Sequence, residues 1–320
     1  MTGKLDALEG ERDQNHRLTQ ADGRRFVLKL SGATEDPAVV DFQVKALQHL
    51  ERAAPDIPAP RVVPTLAGET AAEITGDEGA RHKLRLLTYL PGIPHSEGTD
   101  PSPEGLAAIG AFGGALAKAL ADFDHPASRH FTPWDMDNGL LGSRLLWRHG
   151  DADIAAFEKE LRPRFAELFT VRLKDARRQV AHFDLHQDNL LRPDARDESV
   201  IGVIDFGDMV RGPLVCDPAI IAASFSSQSD PLESMAAAVA GYHRVCPLTE
   251  AEISLLYDLV LARLVQTVLL DDFRLKETAD PPAFLTEMRP RIMESLRRVS
   301  DLDRDEVTQT FLSACRHCDQ

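Results

Sequence analysis

Apolar and polar positions alternate in the first part of the chain, which predicts strands over residues 1–35. Ala21-Asp22-Gly23 predicts a hairpin turn that leads into a strand at Arg25–Leu30. Asp36 followed by Pro37 predicts the start of a helix, because Asp accepts hydrogen bonds from free helix N–H groups and Pro fits the first helical turn. An N-terminal sheet followed by a helix is therefore expected.

Two further apolar runs, residues 66–74 and 83–90, predict a second pair of strands. The latter run ends in Leu86-Leu87-Thr88-Tyr89-Leu90-Pro91-Gly92, whose last two residues break a strand and predict a hinge. Helical patterns dominate beyond this point. The chain is accordingly expected to be an α+β protein with two lobes, a small antiparallel sheet lobe at 1–90 and a larger, mainly helical lobe at 91–320.

The part after the hinge carries several helix signals. Ser102-Pro103 predicts a helix that continues to about Phe123, and further helices are expected from residue 152 to 169 and from Cys216 onward. Ile253–Leu270 is the most apolar long stretch, but charged and polar residues interrupt it. This pattern indicates a buried helix and not a membrane span.

Composition narrows the expected partners of this chain of 320 residues, which has 36 Lys and Arg residues, 51 Asp and Glu residues and a formal net charge of −15. A nucleic acid or an anionic membrane is not expected as a partner, since both are bound through basic surfaces. The acidity instead favours a cationic small-molecule substrate, with solubility as the alternative reason for the negative charge. Because Met1–Glu11 is polar and the four cysteines do not predict a disulfide scaffold, the expected location is the cytoplasm, without a signal peptide.

The C-terminal residues Cys315-Arg316-His317-Cys318 have the side chains of half a metal site. No second Cys or His cluster of matching spacing accompanies them in the sequence. A frayed tail is therefore the expected structure at this end.

One stretch in the middle of the chain carries the candidate chemistry. It contains His182-Phe183-Asp184-Leu185 and Asn189, followed by Asp205-Phe206-Gly207, in the order of the H-x-D-L-x-x-x-N and D-F-G motifs of kinases. Phosphoryl transfer needs a carboxylate that accepts the proton of the attacking hydroxyl, and oxygen ligands that hold Mg²⁺ on the nucleotide phosphates. We therefore expect Asp184 to be the catalytic base, and Asn189 and Asp205 to be metal ligands.

The same residues also permit a non-catalytic interpretation, in which Asp184 and Asn189 shape an ordinary turn and Asp205 only caps a strand. Both motifs occur in the correct order, however, and the apolar run Val200–Ile204 between them predicts a buried strand. Their joint occurrence favours the catalytic interpretation. Asp217, further along, is expected to have a structural role, either beneath the catalytic loop or as a helix cap.

Nucleotide-binding candidates come from the sheet and the hinge. Phe26-Val27-Leu28-Lys29 is similar to the kinase strand V-A-I-K, whose lysine binds the α- and β-phosphates. Lys29 is therefore a candidate ligand of the nucleotide, with an exposed edge-strand position as the alternative. Thr88, Tyr89 and Leu90 are candidates to bind adenine through their backbone groups, although this segment also fits a plain exit from a strand.

Two features of protein kinases are missing. Leu8–Asn15 has a single glycine, so a turn there would have to cover the phosphates with polar side chains and ordinary backbone amides. The helix that begins at Pro37 carries Gln43, and Asp41 nearby, where kinases have a glutamate that pairs with the strand lysine. Whether either residue pairs with Lys29 stays open.

The motifs around Asp184, Asp205 and Lys29 together resemble the aminoglycoside phosphotransferase/choline kinase family, the small-molecule branch of the kinase fold. This resemblance covers nearly the whole chain and implies a bilobal protein-kinase-like fold, Mg²⁺ as cofactor, and ATP or GTP as co-substrate. Only about ten residues separate the D-F-G motif from Asp217, too few for the activation segment of a protein kinase. Phe183 stands where glycine or arginine is common, a change that is expected to be tolerated.

Within this family, three stretches are most similar to hydroxylysine kinases and to their bacterial relatives fused to aminotransferases. They are Glu11-Arg12-Asp13-Gln14-Asn15, Leu86-Leu87-Thr88-Tyr89-Leu90-Pro91-Gly92 and Gly202-Val203-Ile204-Asp205-Phe206-Gly207-Asp208-Met209. The resemblance implies transfer of a γ-phosphoryl group to the hydroxyl of an amino-alcohol or hydroxy-amino acid, with 5-hydroxylysine as the leading acceptor. Homoserine, choline, ethanolamine and aminoglycosides stay open as acceptors, and a non-catalytic nucleotide-binding protein of the same fold stays open as a different class.

Four aspartates near these motifs, Asp188, Asp208, Asp135 and Asp137, are candidates to hold the ammonium group of such a substrate through opposite charge. The last two belong to an aromatic and acidic cluster at Trp134–Asn138, for which a helix cap is the alternative. The oligomeric state and the choice between ATP and GTP stay open.

Overall fold

The computed structural model describes residues 2–8, 10, 12–76, 79–277 and 283–318. Glu9 and Glu11 of the expected phosphate-covering turn lie outside the described residues, as does the side chain of Cys318. The strands are β1 (Lys4–Leu8), β2 (Gln14–Thr19), β3 (Arg25–Leu30), β4 (Val62–Val63), β5 (Ala72–Thr75), β6 (Arg81–Thr88), β7 (Ile93–Pro94), β8 (Arg178–Ala181), β9 (Leu190–Arg192), β10 (Gly202–Val203) and β11 (Val210–Pro213). The helices are α1 (Pro37–Ala53), α2 (Pro103–Ala119), α3 (Arg144–Trp147), α4 (Ala152–Glu167), α5 (Cys216–Ser224), α6 (Pro231–Val245), α7 (Glu250–Ile253), α8 (Leu256–Glu277), α9 (Ala283–Ser300) and α10 (Arg304–Cys318).

The described N-terminal strands form a six-stranded antiparallel sheet in the order β1-β2-β3-β6-β4, with β5 also paired with β6. Gly23 has a φ of +83° in the turn between β2 and β3, a conformation that glycine adopts at little cost, and the predicted hairpin is confirmed. Lys29 on β3 lies directly opposite Arg85 on β6. Because opposite residues of an antiparallel pair point to the same face, two cationic side chains stand side by side.

Helix α1 packs against this sheet and begins as expected. The carboxylate of Asp36 accepts a hydrogen bond from the N–H of Ala38 at 2.9 Å, and Pro37 is the first helical residue. The buried side of α1 carries an apolar stripe, formed by Val40, Val44, Leu47 and Leu50. The α+β class, with antiparallel strands before a mainly helical remainder, is thus confirmed.

The strand expected at residues 66–74 is shorter than predicted. Strand β5 covers only Ala72–Thr75, and the side chain of Leu66 is fully exposed. The N–H of Gly68 donates to the carbonyl oxygen of Thr65, so the chain turns at this point. The prediction of a strand at Leu66 is therefore wrong, because this apolar residue lies in a turn.

Small residues allow α2 and α6 to pack closely. A Cβ atom at Gly110 would overlap the carbonyl oxygen of Ala238, and one at Gly241 would overlap the carbonyl oxygen of Ala107. Both positions therefore need glycine.

Helix α8 is buried along most of its length and corresponds to the buried helix expected at Ile253–Leu270. Its Asp258 carboxylate accepts hydrogen bonds from Arg164 at 2.7 Å, from Arg304 at 2.6 Å, and from Arg172. One buried carboxylate thereby ties α4, the turn after it and α10 to α8. None of the helices that the structure describes combines the length and apolar character needed to cross a bilayer.

Two expectations for the later part of the chain are corrected. The strand expected at Val200–Ile204 is reduced to the two residues of β10, which pair with β9. The tail is not frayed at Cys315, whose side chain is buried within α10. Among the described residues, no group of three or more His, Cys, Asp or Glu side chains forms a potential metal cluster. The boundary between lobes at residue 90 stays a prediction.

Candidate active site

The candidate catalytic loop lies between two small antiparallel sheets. Strand β8 pairs with β11, and β9, which begins one residue after Asn189, pairs with β10 and β7. The N–H of Ile204 donates to the carbonyl oxygen of Asn189 at 2.9 Å. The two candidate metal ligands, Asn189 and Asp205, therefore emerge at the same edge of paired strands.

The backbone of this loop is held by Asp217 from α5. Phe183 has a φ of +61°, a left-handed conformation that costs about 1–2 kcal/mol for a residue with a Cβ atom. The Asp217 carboxylate accepts hydrogen bonds from the N–H groups of Phe183 at 2.9 Å and His182 at 3.4 Å. Burial raises the pKa of Asp217 to about 6. Of the two structural roles that the sequence left open, Asp217 has the one beneath the loop.

Asp184 is buried and has partners on both carboxylate oxygens. Oδ1 accepts a hydrogen bond from Nη2 of Arg263 at 2.6 Å, and Oδ2 accepts one from Nδ2 of Asn189 at 2.7 Å. Nε2 of His186 lies 3.2 Å from Oδ2. Burial disfavours the charged carboxylate, but the positive charges of His186 and Arg263 outweigh it and hold the pKa of Asp184 well below its usual range. The carboxylate is therefore ionised and fixed in orientation.

His186 lies between two carboxylates of the same loop. Its Nδ1 donates to Oδ2 of Asp188 at 3.1 Å, while its other nitrogen faces Asp184. Burial opposes protonation, yet the two carboxylates raise the pKa of His186 to about 10, so the ring is protonated at neutral pH. Asp188 also accepts a hydrogen bond from the hydroxyl of Ser96. Asp188, a candidate to bind the substrate ammonium, therefore already has the cationic His186 as a neighbour.

Asp205 and Lys29 meet where the sheet faces the loop. Asp205 has a φ of +57° and accepts a hydrogen bond from the N–H of Gly207 at 3.2 Å, and its side chain is half exposed. Nζ of Lys29 lies 3.7 Å from Oδ1 of Asp205. The candidate phosphate-binding lysine and the candidate metal ligand are thus neighbours.

A second carboxylate near Lys29 belongs to Asp13, the residue just before β2. Oδ2 of Asp13 lies 3.5 Å from Nζ of Lys29 and accepts a hydrogen bond from Nη2 of Arg85 at 2.7 Å. Arg85 is only 4% exposed, and burial lowers its pKa despite the nearby carboxylates. One carboxylate therefore serves two neighbouring cations of β3 and β6.

Helix α1 supplies no partner to Lys29 in the described structure. Gln43 accepts a hydrogen bond from Arg85 and donates one from Nε2 to the carbonyl oxygen of Gly207 at 3.3 Å. Asp41 instead lies 3.1 Å from the ring of His125. Asp13 therefore pairs with Lys29 in the way that a helix glutamate does in protein kinases. Gln43 links the sheet to the D-F-G motif.

The three hinge candidates differ in the hydrogen bonds that their backbone and side-chain groups make within the chain. Thr88 exchanges two hydrogen bonds with the backbone of Arg61, and the N–H of Tyr89 donates to the carbonyl oxygen of Arg25 at 3.4 Å. No hydrogen bond to the backbone of Leu90 is found within the described residues. Leu90 is therefore the hinge residue best placed to pair with adenine, and the role of all three residues stays a prediction.

The remaining candidate substrate aspartates have partners within the chain. Asp208 is buried and accepts a hydrogen bond from Arg12 at 2.7 Å, and Asp137 is paired with Arg178. Asp135 caps a short helical turn, accepting from the N–H of Asp137 at 2.9 Å, and burial raises the pKa of Asp135 to about 6. The capping alternative thus holds for Asp135. A contact with a substrate ammonium stays a prediction for each of them.

Three residues of the site were not identified from the sequence: Asp13, His186 and Arg263. His186 lies inside the motif between two aspartates, a local signal that was available. Arg263 is one of the charged residues that interrupt the apolar run of α8, and a charged residue in a buried helix is itself a signal, because buried charges need partners. Asp13 carries no local signal, since its partners lie on strands β3 and β6.

The chain is similar to known phosphotransferases. Residues 5–251 match the model of the phosphotransferase enzyme family (APH). The chain is 28% identical to hydroxylysine kinase of Danio rerio over 317 residues, which cover 95% of this chain and 88% of the relative. It is 29% identical to homoserine kinase of Chelativorans sp. (strain BNC1) over 298 residues, which cover 88% and 85%.

A solved structure shows the same fold. Amicoumacin kinase in complex with AMP-PNP, Ca²⁺ and amicoumacin superposes with a TM-score of 0.71 at 16% identity, covering 95% of this chain and 91% of that one. The bilobal kinase-like architecture expected from the motifs is confirmed by this likeness. The chain therefore belongs to the phosphotransferase enzyme family and is an enzyme that transfers a phosphoryl group to a hydroxyl group.

Proposed function

We propose that this enzyme transfers the γ-phosphoryl group of ATP or GTP to the hydroxyl of a small amino-alcohol or hydroxy-amino acid, with 5-hydroxylysine as the leading acceptor. The observation that carries the proposal is the environment of Asp184. Its carboxylate is ionised, buried and fixed by Asn189, His186 and Arg263. Such a group is suited to orient a hydroxyl for attack on phosphorus.

Asp184 would accept a hydrogen bond from the acceptor hydroxyl and then its proton as the bond to phosphorus forms. Its depressed pKa makes it a weak base toward a neutral alcohol. In a loose phosphoryl-transfer transition state, however, the attacking oxygen needs little deprotonation in advance. Positioning of the hydroxyl is therefore the larger contribution expected of Asp184.

Asn189 and Asp205 would hold Mg²⁺. Nδ2 of Asn189 is committed to Asp184, which leaves the amide oxygen as a ligand, and Asp205 offers a half-exposed carboxylate. Amide and carboxylate oxygens are the ligands that Mg²⁺ prefers, so the residues fit this cofactor. When bound, the ion would neutralise charge on the phosphate oxygens.

Lys29 would neutralise phosphate charge next to these ligands, since its Nζ lies 3.7 Å from Asp205. Asp13 would help to hold the Lys29 ammonium at this position through its contact at 3.5 Å. The backbone of Leu90, with its neighbours Thr88 and Tyr89, would hold adenine. These assignments support ATP or GTP as co-substrate without choosing between them.

The acceptor proposal draws on the two named relatives. Hydroxylysine kinase is similar over 95% of this chain, which supports hydroxylysine as the first candidate. The homoserine kinase at 29% identity supports homoserine as the second. Asp188, Asp208, Asp135 and Asp137 stay the candidates for the acceptor ammonium. A cytoplasmic location and the lack of nucleic acid partners also stay predictions.

The test is ADP release with Mg·ATP or Mg·GTP across a panel of hydroxylated amines and amino acids, for the wild type and Asp184→Asn. Turnover of hydroxylysine that falls about a hundredfold or more in the variant is expected. Asp194→Asn, which changes an exposed aspartate of the loop after β9, is the matched control and should retain activity. Turnover of another acceptor would discard hydroxylysine, and nucleotide binding without any acceptor-dependent turnover would contradict the proposal.

A further inference from the structure

We infer that Arg263 binds the carboxylate of the acceptor, and that it thereby selects hydroxy-amino acids over amino-alcohols that lack this group. The inference rests on the proposed function, because it assumes that the acceptor hydroxyl reaches Asp184. It adds a specificity-determining residue on α8, far in sequence from the kinase motifs.

The geometry places a rigid guanidinium beside the candidate catalytic carboxylate. Arg263 is 6% exposed, and its Nη2 donates to Oδ1 of Asp184 at 2.6 Å. Its guanidinium carbon lies 4.5 Å from the centroid of the Trp134 ring. A guanidinium held over an aromatic face has a fixed orientation, and its N–H groups remain available to donate.

One nitrogen of this guanidinium has no hydrogen-bond partner among the described residues. Nη1 of Arg263 is buried and makes no hydrogen bond within the described part of the chain. Buried donors without partners are rare in folded proteins, so each one requires an explanation. A carboxylate is the ligand that best matches an arginine N–H edge, because it accepts charge-assisted hydrogen bonds from it.

Gln266, three residues further along α8, supports the same ligand. Its Nε2 donates to the carbonyl oxygen of Pro133 at 2.7 Å, and this assignment is fixed because that oxygen only accepts. Its Oε1 is buried without a partner. An α-amino acid carries a carboxylate that would accept from Arg263 and an ammonium that would donate to Gln266, and an amino-alcohol lacks the first of these groups.

The position of Arg263 favours the acceptor over the nucleotide as its ligand. Arg263 contacts Oδ1 of Asp184, whereas Oδ2 faces Asn189, the candidate metal ligand. Arg263 therefore lies on the side of the carboxylate that is away from this ligand. Nη1 is buried in the structure, so the side chains that cover it must move when the acceptor carboxylate enters.

The experiment compares acceptors that differ only in the carboxyl group. One pair is hydroxylysine and the diamino alcohol left by removal of its carboxyl group. The other pair is homoserine and 3-amino-1-propanol. Binding is measured calorimetrically with a non-hydrolysable ATP analogue, and turnover is measured separately. The proteins are wild type, Arg263→Gln, Arg263→Lys and the control Arg289→Gln, which removes an arginine from another carboxylate of α8, Asp272.

The wild type is expected to bind the amino acid of at least one pair roughly tenfold to a hundredfold more tightly than its carboxyl-free partner. Arg263→Gln should abolish this preference through a higher KM for the amino acid, and Arg263→Lys should keep part of it because the charge remains. Arg289→Gln should retain the preference in full.

A preference that survives Arg263→Gln, or its absence in the wild type, would overturn the inference. An equal fall of kcat for both members of a pair, with the preference intact, would also overturn it and would make Arg263 a positioning residue for Asp184 or a contact of the phosphoryl group. Carboxylate-dependent binding that is lost in Arg263→Gln without turnover of any acceptor would refute the proposed function alone. If Arg263→Gln does not fold, Arg263→Lys decides the matter: a reduced preference would support the inference, and an unchanged preference would overturn it.

Discussion

Replacement of Asp13 by alanine removes the carboxylate that Lys29 and Arg85 share. Arg85 would be affected most, because it is only 4% exposed and its Nη2 donates directly to Asp13 at 2.7 Å. Its other described side-chain partner is the neutral amide of Gln43. The variant would therefore leave a buried guanidinium without a hydrogen-bonded counter-charge, with only the carboxylates of Glu35 and Asp205 acting on it from further away.

Loss of one partner of a buried ion pair typically costs about 3–5 kcal/mol, because the other charge stays desolvated. We expect Asp13→Ala to lower the free energy of unfolding by this amount. Lys29 would also lose its contact at 3.5 Å, so the KM for the nucleotide should rise. Asp6→Ala is the matched control: its contacts with Lys4 and Arg17 are more exposed than those of Asp13, so it should cost much less than Asp13→Ala.

A second substitution tests the cause. Gln43→Glu places a negative charge where Arg85 already donates a hydrogen bond, so in the Asp13→Ala background it should restore about 1–3 kcal/mol. In the wild-type background it should give no such gain, because Asp13 already supplies the charge and the bond to Gly207 is lost. Urea unfolding of the four proteins measures this coupling. An Asp13→Ala as mild as Asp6→Ala, or no recovery with Gln43→Glu, would refute the reasoning.

Three further predictions concern the loop and the helical part. Asp258→Ala should lower the free energy of unfolding by about 2–4 kcal/mol in urea titrations, since three partly exposed arginines lose one buried carboxylate, while kcat per folded molecule stays unchanged. The raised pKa of His186 predicts that the stability advantage of wild type over His186→Gln is full below pH 6.5 and is lost as the pH rises through about 10; a constant difference in unfolding experiments would contradict it. Asp217→Ala should reduce kcat at least tenfold and stability by about 2–4 kcal/mol, with Asp217→Asn milder because it keeps one acceptor; unchanged kinetics would exclude a role of Asp217 in holding the loop.

The sequence was sufficient where structure depends on neighbouring residues. Asp36 and Pro37 begin a helix, and Gly23 closes a hairpin, because caps and turns are set by local backbone chemistry. Asp184 and Asn189 come together for the same reason, since they are only five positions apart in one short loop. Leu66 shows the limit of this approach, because the sequence does not distinguish an apolar residue in a turn from one in a strand.

Long-range contacts could not be predicted in this way. The pairing of Asp13 with Lys29 and Arg85 depends on the register of β2, β3 and β6, which no single stretch of sequence specifies. The contact between Asp184 and Arg263 joins a loop to a helix 79 residues away. Both contacts lie at the candidate site. The residues that contact the motif side chains from distant parts of the chain could therefore not be found by recognising the motif.

Phe183 shows how a departure from the family pattern can be accommodated by distant residues. Its left-handed backbone would suit glycine, and the structure compensates with two hydrogen bonds from this turn to Asp217. Its ring is fully buried against Gly212 of β11, where a Cβ atom would overlap the ring. The strain at Phe183 is thus offset by burial of its ring and by the carboxylate that fixes the backbone next to Asp184. The expected tolerance of this residue has a physical basis in Gly212 and Asp217, and the same contacts keep the candidate catalytic carboxylate in place.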